Sequence, residues 1–383
     1  MKKNIFLITL FFCLLPLRAI DYLNWMQSLE DNLLLKRLSI PGAHDAATSS
    51  CSSSGLTGSA HTQTYTIAQQ LEHGVRMFDL RPAWTGKEMM IYHGIVSTDV
   101  KFTDVLTTLC NFLDAHPQEF LFVIMRHEDD SESSSQKTEW PNQMGKCLTE
   151  YKSYIIDFSP TLTLKDMRGK LLLMSRDTYE GGPIGGYLNG GADNSVYDRR
   201  LSGPSGASMI MSTQDMYDVA AEGQLAKKVA AIKSMLARSI KDKENRLFLN
   251  HASGYSKKGS IFGFSYSTFE GVQECARTCN KAFIDYMQGK SGPMGFVMMD
   301  FAGDDEYQGQ ELIDLIINNC LETSSVVQDG IGDLKNERMK SEKTQEEVYD
   351  LSGRKLNSSF FTLHSSHVKN GLYIIDRQKK VLQ

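Results

Sequence analysis

The sequence predicts an α/β fold, an irregular (β/α)8 barrel of the TIM type with a small β-rich tail at its C-terminus. Eight short apolar runs, typical of buried strands, recur between Lys36 and Met299. Helix-compatible stretches separate most of them, and this alternation predicts a parallel sheet. A count of eight strands favours closure into a barrel over an open doubly wound sheet.

The predicted elements follow one another in a regular order. The strands are expected at Lys36–Ile40, Val75–Leu80, Met89–Tyr92, Phe120–Met125, Lys170–Ser175, Ser208–Ser212, Arg246–Asn250 and Gly295–Met299. The helices are expected at Ile67–His73, Thr103–His116, Gln136–Tyr151, Glu222–Ile240, Thr268–Met287 and Gln310–Leu321. Only Arg81–Glu88 separates the second strand from the third, which is too short for a helical crossover. We therefore expect a helix to be missing at that point.

Length and charge narrow the class of protein. A chain of 383 residues, with 41% hydrophobic and 23% charged residues, can form one barrel-sized body or two smaller cores. Its formal net charge of −5 argues against binding to nucleic acid or to anionic membranes through bulk charge. The sequence has no Gly-rich dinucleotide fingerprint and no P-loop, and we expect no cofactor.

The N-terminal segment 1–19 has the pattern of a secretory signal peptide. Two lysines precede an apolar run that ends at Arg18-Ala19, and the run is short for a transmembrane anchor, the alternative. Removing its three cations would change the net charge from −5 to −8. The mature protein is then expected to be periplasmic, cell-surface or extracellular, where its six cysteines could form disulfides whose pairing stays open.

The rest of the chain divides by composition. The barrel is expected over residues 20–322, a charged linker over 323–347 and a β-rich tail over 348–383. The tail contains strand-like runs at Val348–Leu356 and Gly371–Asp376. It resembles the C-terminal sorting domains of some Gram-negative secreted proteins. A small β-appendage without an export role is the alternative.

Charged side chains fall at one end of the predicted strands. The set is His44, Asp45, Arg81, His93, Arg126, Arg176, Asp215 and Asp300. Each residue alone fits a structural role, such as a surface ion pair or a turn cap. Together they lie at or just beyond the C-terminal ends of the strands, the face on which barrel enzymes carry their active sites. The common register predicts a single site.

Two histidines with an arginine between them indicate phosphoryl chemistry. His44 follows Pro41-Gly42, which we expect to end the first strand, while Arg81 and His93 follow the next two strands. One imidazole can take a proton from a nucleophile while the other gives a proton to a leaving group. A guanidinium can hold a phosphate by paired hydrogen bonds.

Three segments resemble the X region of bacterial phosphatidylinositol-specific phospholipase C: Ser39–Asp45, His73–Arg81 and Tyr92–Gly94. Further matches follow in the family's order, at Phe122–Arg126, Gly169–Arg176, Gln214–Tyr217, Asn250–Ser253 and Val297–Asp300. The resemblance implies a TIM-type barrel that acts on a lipid at a membrane surface, with which we expect transient contact. We also expect a monomer, and no metal, since Arg81 stands where a metal would need further acidic ligands. It implies cleavage of phosphatidylinositol, and of GPI-type lipids, to diacylglycerol and inositol 1,2-cyclic phosphate.

The resemblance also implies a role for each site residue. His44 would be the general base that deprotonates the inositol 2-hydroxyl, oriented by Asp300. His93, with Asp45, would protonate the diacylglycerol oxygen as it leaves, and Arg81 would hold the phosphate. The residues implied to bind the inositol ring are Arg126, Arg176 and Asp215, through its hydroxyls, and Tyr217, through its apolar face.

Two departures from the family pattern bear on the headgroup. Arg126 stands where familiar members have a lysine, and Tyr92 stands where a histidine usually precedes His93. An arginine still donates to hydroxyls, but its fork is larger than an ammonium. The apolar segment Ile261–Phe264 is read either as a membrane contact or as an ordinary loop.

Two other functions stay open. A metal-dependent phosphodiesterase on a similar barrel, such as a glycerophosphodiesterase, would need acidic ligands around the first histidine. The sequence offers Asp45 and Asp79, but Arg81 stands where another acid would be needed. The second alternative is a non-catalytic barrel that binds inositol phosphates or glycans, against which the presence of both histidines argues.

Overall fold

A computed structural model describes residues 20–241 and 243–324, together with the backbone of four short strands after residue 347. The chain divides into two compact units after Ser324. The predicted signal peptide lies outside the described residues, as does the predicted linker from residue 325 onward. Among the helices of the described part, none is both long and apolar enough to cross a membrane.

The first unit alternates strands and helices along the chain. Its strands are β1 (Ser39–Ala43), β2 (Met77–Leu80), β3 (Pro82–Trp84), β4 (Met89–His93), β5 (Val96–Lys101), β6 (Leu121–Met125), β7 (Leu171–Ser175), β8 (Gly186–Asn189), β9 (Ser195–Ser202), β10 (Ser208–Asp215), β11 (Leu247–His251), β12 (Lys258–Ile261), β13 (Phe264–Ser267) and β14 (Gly295–Met299). Its helices are α1 (Ile67–Glu72), α2 (Phe102–Ala115), α3 (Ser134–Glu150), α4 (Leu164–Met167), α5 (Gln224–Lys241), α6 (Phe269–Met287) and α7 (309–324).

Nine strands close into a barrel in the order β1-β14-β11-β10-β9-β8-β7-β6-β2. Eight of them run in one direction, and β9 is antiparallel to both of its neighbours, β8 and β10. The α/β barrel predicted from the sequence is confirmed. Seven of the eight predicted strands overlap strands of this barrel, because buried parallel strands read as continuous apolar runs.

The third predicted strand, Met89–Tyr92, is not a barrel strand. It forms β4, the middle strand of a separate antiparallel sheet with β3 and β5. The short connection before it, which excludes a helical crossover, instead holds β3 and a turn over residues 85–88. The eighth parallel strand of the barrel is β8, which sequence analysis missed because it is short and begins at the last glycine of the glycine-rich segment 181–186.

A second correction concerns Pro41 and Gly42, which lie inside β1 and do not end it. Pro41 lacks an N–H, but its carbonyl accepts a hydrogen bond from the Arg76 N–H, at 3.0 Å. Gly42 lets the strands approach closely, since a Cβ there would lie 3.1 Å from the Met77 Cβ. The strand ends at Ala43, so the residue after it is still placed at the mouth of the barrel.

The His73–Arg81 motif contains two arginines with different positions. Arg76, fully buried, comes just before β2, and its Nε lies 2.9 Å from Oε2 of the buried Glu119. Its guanidinium also donates to the carbonyls of Tyr22 and Leu23. Arg76 therefore ties the N-terminal segment to the barrel at the end opposite the mouth, and this arginine is structural.

The second unit contains a four-stranded antiparallel sheet in the order β16-β15-β17-β18. These strands are β15 (Val348–Tyr349), β16 (Lys355–Leu356), β17 (Gly371–Ile375) and β18 (Gln378–Leu382). The sheet overlaps both strand-like runs of the predicted tail. A sorting role for it stays a prediction.

Candidate active site

The nine predicted site residues meet in one cavity at the C-terminal ends of the barrel strands. The cavity has a volume of about 580 Å³. The predicted residues that line it are His44, Asp45, Arg81, His93, Arg126, Arg176, Asp215, Tyr217 and Asp300. Parallel strands bring residues that are distant in the sequence to one face, which is why the common register indicates a single site.

His44 directly follows β1 and lies between the carboxylate of Asp300 and the guanidinium of Arg81. Its Nδ1 is 2.8 Å from Oδ1 of Asp300, and its Nε2 is 3.0 Å from a terminal nitrogen of Arg81. The other oxygen of Asp300 accepts the Gly254 N–H at 3.1 Å. In the neutral ring, the form that can act as a base, Nε2 accepts from Arg81, because arginine can only donate, and the ring proton is on Nδ1, facing Asp300. A carboxylate at Nδ1 fixes the orientation of the ring and leaves Nε2 as the reactive nitrogen.

The buried Gln63 holds the backbone around His44. Its amide nitrogen donates to the carbonyls of His44 and Met299, at 2.7 and 3.0 Å, and its amide oxygen accepts the Ala302 N–H at 3.0 Å. These three bonds tie the end of β1 to the end of β14, the strand that precedes Asp300. Nothing in the local sequence around Gln63 predicted this role.

The charges around His44 raise its affinity for a proton. Burial opposes a charge on the ring, but the carboxylates of Asp45 and Asp300 outweigh this effect and raise the pKa of His44. The site therefore gives this imidazole a higher proton affinity than it has in water, which suits a general base.

Asp45 connects the arginine to both histidines. Its Oδ1 lies 2.7 Å from Nε of Arg81, and its Oδ2 lies 3.1 Å from Nδ1 of His93 and 3.4 Å from Nε2 of His44. Burial raises the pKa of Asp45, but the positive charges of Arg81 and the histidines outweigh burial and lower it. Asp45 is therefore an anion, and both imidazoles lie against one of its oxygens.

The backbone of Asp45 is in a strained conformation. Its φ of 44° lies in the left-handed region, which few residues other than glycine adopt. Its N–H lies 3.3 Å from Oδ2 of Asp79, which also accepts a hydrogen bond from Arg81 at 2.9 Å. Asp79 thus holds both the strained turn and the guanidinium. Such local strain is typical of sites where a side chain must point in one fixed direction.

His93 ends β4 at the edge of the cavity. Its Nδ1 faces Asp45, and its side chain is 28% exposed. The N–H of the next residue, Gly94, donates to Oε1 of the buried Glu128 at 3.0 Å. The strand β4 belongs to the separate sheet β3-β4-β5 and not to the barrel. That sheet nevertheless brings His93 to the mouth of the barrel, so His93 lines the cavity as predicted, although the predicted barrel strand was wrong.

On the far side of the cavity lie the residues predicted to bind a sugar ring. Burial raises the pKa of Asp215, but His251 and Lys228 outweigh burial and lower it to about 2. The hydroxyl of Tyr217 donates to Oδ1 of Asp193 at 2.6 Å. Asp215 is therefore an ionised acceptor, while Tyr217 is held in place by the loop that precedes β9.

Several further residues line this cavity, and the sequence analysis assigned none of them a role in catalysis or ring binding, although it named Asp79 as a possible metal ligand. They are Asp79, Glu128, Tyr197, Arg199 and His251. Tyr197 and Arg199 lie on β9, whose polar sequence gives no apolar run, and only its period-two alternation of inward and outward side chains could have identified the strand. The ring of His251 meets that of His44 edge to face, with centroids 6.1 Å apart. Burial lowers the pKa of His251 to about 4, so it remains neutral.

One group of side chains, among those the structure describes, is close enough to hold a metal ion. Ligand atoms of His44, Asp45 and Asp79 lie within 4.8 Å of one another. However, the guanidinium of Arg81 contacts both carboxylates, at 2.7 and 2.9 Å. A divalent ion would have to displace that cation, so this donor set with Arg81 in place does not fit a metal.

Comparisons with known proteins identify similar chains. The family model described as phosphatidylinositol-specific phospholipase C, X domain, matches residues 38–177. A 1-phosphatidylinositol phosphodiesterase of Staphylococcus aureus is 29% identical over 293 residues, which cover 73% of this chain and 88% of that protein. A protein of the same name from Listeria monocytogenes is 29% identical over 306 residues, covering 77% of this chain and 84% of that one.

Solved structures show the same fold. The phosphatidylinositol-specific phospholipase C from Listeria monocytogenes superposes with a TM-score of 0.57 and 26% identity, covering 78% of this chain and 99% of that one. A variant of the Staphylococcus aureus enzyme superposes with a TM-score of 0.63 and 23% identity, covering 77% and 96%. The family model and the two relatives thus show that this chain is similar to phosphatidylinositol-specific phospholipases C, and the solved structures show that it shares their fold.

Proposed function

We propose that this protein is a secreted phosphatidylinositol-specific phospholipase C that releases diacylglycerol and inositol 1,2-cyclic phosphate without a metal. The observation that carries this proposal is the contact of His44 and His93 with the same carboxylate, Asp45, which also binds Arg81. An acid, a base and a phosphate-binding cation within one cluster are what in-line phosphoryl transfer requires.

The first half of the reaction is the attack of the inositol 2-hydroxyl. His44 Nε2 takes the hydroxyl proton while the oxygen forms a bond to phosphorus, and Asp300 stabilises the resulting imidazolium through Nδ1. A terminal nitrogen of Arg81 lies 3.0 Å from Nε2 of His44, so a phosphate oxygen held by the guanidinium is within reach of Nε2. Negative charge that accumulates on the non-bridging oxygens is then met by a fixed cation.

The second half is the departure of diacylglycerol. As the bond between phosphorus and the glycerol oxygen breaks, His93 gives its proton to that oxygen, which leaves as a hydroxyl. Asp45 holds the protonated imidazole ready, because its carboxylate lies 3.1 Å from Nδ1 of His93. The proton gained by His44 and the proton lost by His93 balance within the cycle. Water can then restore both groups or open the cyclic phosphate.

The inositol ring would occupy the far side of the cavity. Arg126, Arg176 and Asp215 offer donors and an acceptor for its hydroxyls, and Tyr217 offers a ring face, all lining the same space. The same diester occurs in glycosyl-phosphatidylinositol lipids, so we include these among the substrates to be assayed.

An apolar hairpin beside the cavity supports contact with a bilayer. Phe262 and Phe264 are 94% and 76% exposed, at the tip of the β12–β13 hairpin, whose last residue, Ser267, lines the cavity. Phe262 and Gly263 both have positive φ, 49° and 82°, as in the tight turns that connect such strands. A phenylalanine with a positive φ has a strained backbone, so the exposed Phe262 at the tip of the hairpin indicates a functional role for this side chain. We infer that the tip enters the lipid surface.

The double variant Phe262→Ser/Phe264→Ser is expected to bind phosphatidylinositol vesicles at least about tenfold more weakly, because full burial of one phenylalanine contributes about 1.5–3 kcal/mol. Vesicle sedimentation measures this loss. Hydrolysis of water-soluble inositol 1,2-cyclic phosphate should be unchanged. The control is Leu23→Ser. Leu23 is also an exposed apolar residue, but it lies beside Arg76 at the opposite end of the barrel. Equal vesicle binding by the double variant and the wild type would refute the membrane contact.

Release of diacylglycerol from phosphatidylinositol vesicles tests the proposed function itself. Steady release by the purified protein is expected. A barrel that only binds inositol phosphates would retain the lipid and release no diacylglycerol, and such a result would overturn the proposal.

A further inference from the structure

A residue with a strained backbone follows Asp300 directly. Phe301 has a φ of 52° and is 1% exposed. A large aromatic residue rarely adopts this left-handed conformation, because its Cβ then crowds the backbone. The Phe301 N–H donates to the carbonyl of Thr62 at 2.8 Å, and the Phe301 carbonyl accepts the Asp304 N–H at 3.1 Å. The strained conformation is therefore one in which both backbone groups of Phe301 are hydrogen-bonded.

The side chain of Phe301 stabilises this conformation. Its ring stacks on that of Tyr307, with centroids 3.9 Å apart and 20° between the planes, and meets the ring of Phe269 edge to face at 6.1 Å. These side chains form a small apolar cluster with Val272 and Ala276, separate from the main core of the barrel. Aromatic pairs in such arrangements are more favourable than their buried area alone accounts for. The cluster therefore offsets the unfavourable backbone.

Tyr307 is itself fixed to helix α6. Its hydroxyl accepts a hydrogen bond from Nε2 of Gln273 at 2.6 Å, and its carbonyl accepts one from Nδ2 of Asn280 at 2.9 Å. The guanidinium of Arg277 lies over the tyrosine ring, 4.7 Å from its centroid. The ring on which Phe301 stacks is therefore held from three positions along one helix.

The segment Thr62–Gln63 joins the turn at Phe301 to the turn that carries His44. The carbonyl of Thr62 accepts the Phe301 N–H. Gln63 bonds to the carbonyl of His44 and to the N–H of Ala302, at 2.7 and 3.0 Å. Asp300 lies between these anchors, with one oxygen 2.8 Å from Nδ1 of His44. A shift of the Phe301 turn would therefore change the distance between the carboxylate and the imidazole.

We propose that Phe301, supported by Tyr307, is a positioning residue that fixes the carboxylate of Asp300 against the Nδ1 proton of His44. This inference rests on the proposed function, in which His44 is the general base. A carboxylate in a fixed position orients the imidazole and stabilises the charge that the ring gains when it takes the proton. The aromatic cluster therefore acts on turnover and not on the binding of the lipid.

Phe301→Leu tests this role through kcat and KM on phosphatidylinositol in mixed detergent micelles. Leucine keeps an apolar side chain but removes the stacked ring that offsets the left-handed backbone. We expect kcat to fall about tenfold or more while KM stays within about twofold, because a small misplacement of a catalytic group lowers the rate steeply. Tyr307→Leu removes the other ring of the stack and should lower kcat in the same way. Tyr307→Phe keeps that ring and should retain most of the wild-type kcat.

Phe120→Leu provides the matched control. Phe120 is also 1% exposed, and its ring meets that of Phe122 edge to face at 5.1 Å. It precedes β6, at the end of the barrel opposite the mouth. The same atoms are lost from a buried aromatic pair, so the thermal stability should fall by a similar amount while kcat is unchanged. A kcat of Phe301→Leu equal to that of Phe120→Leu would overturn the inference.

Proton NMR tests the positioning without a substrate. The Nδ1 proton of His44, bonded to Asp300, should give a low-field resonance that is assigned by its loss in His44→Ala. We expect this resonance in the wild type and in Phe120→Leu. It should be broadened or lost in Phe301→Leu and Tyr307→Leu, because a looser contact lets the proton exchange with water.

An unchanged resonance in both folded leucine variants, or a wild type without it, would overturn the inference. A protein that cleaves no phosphatidylinositol would overturn the proposed function, and the same resonance would still decide whether Phe301 positions Asp300.

Discussion

His44→Ala and His93→Ala are each expected to lower kcat on phosphatidylinositol by about 10²- to 10⁴-fold, the usual contribution of a general acid or base. His44 accepts the nucleophile's proton, and His93 protonates the leaving oxygen, so loss of either halts one half of a single displacement. The effects should not add, because the two groups act as a unit. Initial rates of diacylglycerol release from both variants and the double variant measure this.

The control for these variants is His116→Ala. His116 follows α2 and contacts Asn24, away from the cavity. Its replacement should leave kcat within about twofold of the wild type. Thermal unfolding should show that all variants remain folded. Activity near the wild-type level in either His44→Ala or His93→Ala would rule out the assigned roles.

Arg81→Lys is expected to lower kcat/KM by about 10²- to 10³-fold, a loss similar to that of removing an oxyanion donor. The guanidinium bridges Asp45 and Asp79 and has further donors for the phosphate. An ammonium keeps the charge but cannot reproduce this forked contact, so the loss reports geometry. Arg277→Lys, which alters a surface ion pair with Glu306, should have little effect.

Excess EDTA should leave the wild-type rate unchanged, because Arg81 supplies the positive charge that a metal supplies in other phosphodiesterases. Rates measured with chelator and with added calcium test this. Loss of activity in EDTA and its return with calcium would support the metal-dependent alternative. His44, Asp45 and Asp79 would then be the first ligands to replace.

The barrel could be predicted because buried parallel strands leave continuous apolar runs in the sequence. The errors arose where that rule fails. β4 is apolar but pairs in a separate antiparallel sheet, and β8 is short and preceded by glycines. Pro41 lies inside a strand because its carbonyl alone is needed for pairing, which no local preference reveals.

The site was more predictable than the fold details, because its residues sit at strand ends that a barrel must bring together. His44, Arg81 and Asp300 illustrate this, since each is the residue directly after a barrel strand. Arg199 could not be found in that way. It lies within β9, an antiparallel strand, and only the three-dimensional packing shows that it lines the cavity.

Phosphorus NMR of the products over time shows whether the inositol 2-hydroxyl or water attacks the phosphorus. If His44 deprotonates the 2-hydroxyl while Arg81 holds the diester, the neighbouring oxygen attacks before water can, because it is already in place. We expect inositol 1,2-cyclic phosphate to be the first phosphorus-containing product, with inositol 1-phosphate appearing only later and at its expense. Inositol 1-phosphate as the sole product from the earliest time points would rule out attack by the 2-hydroxyl.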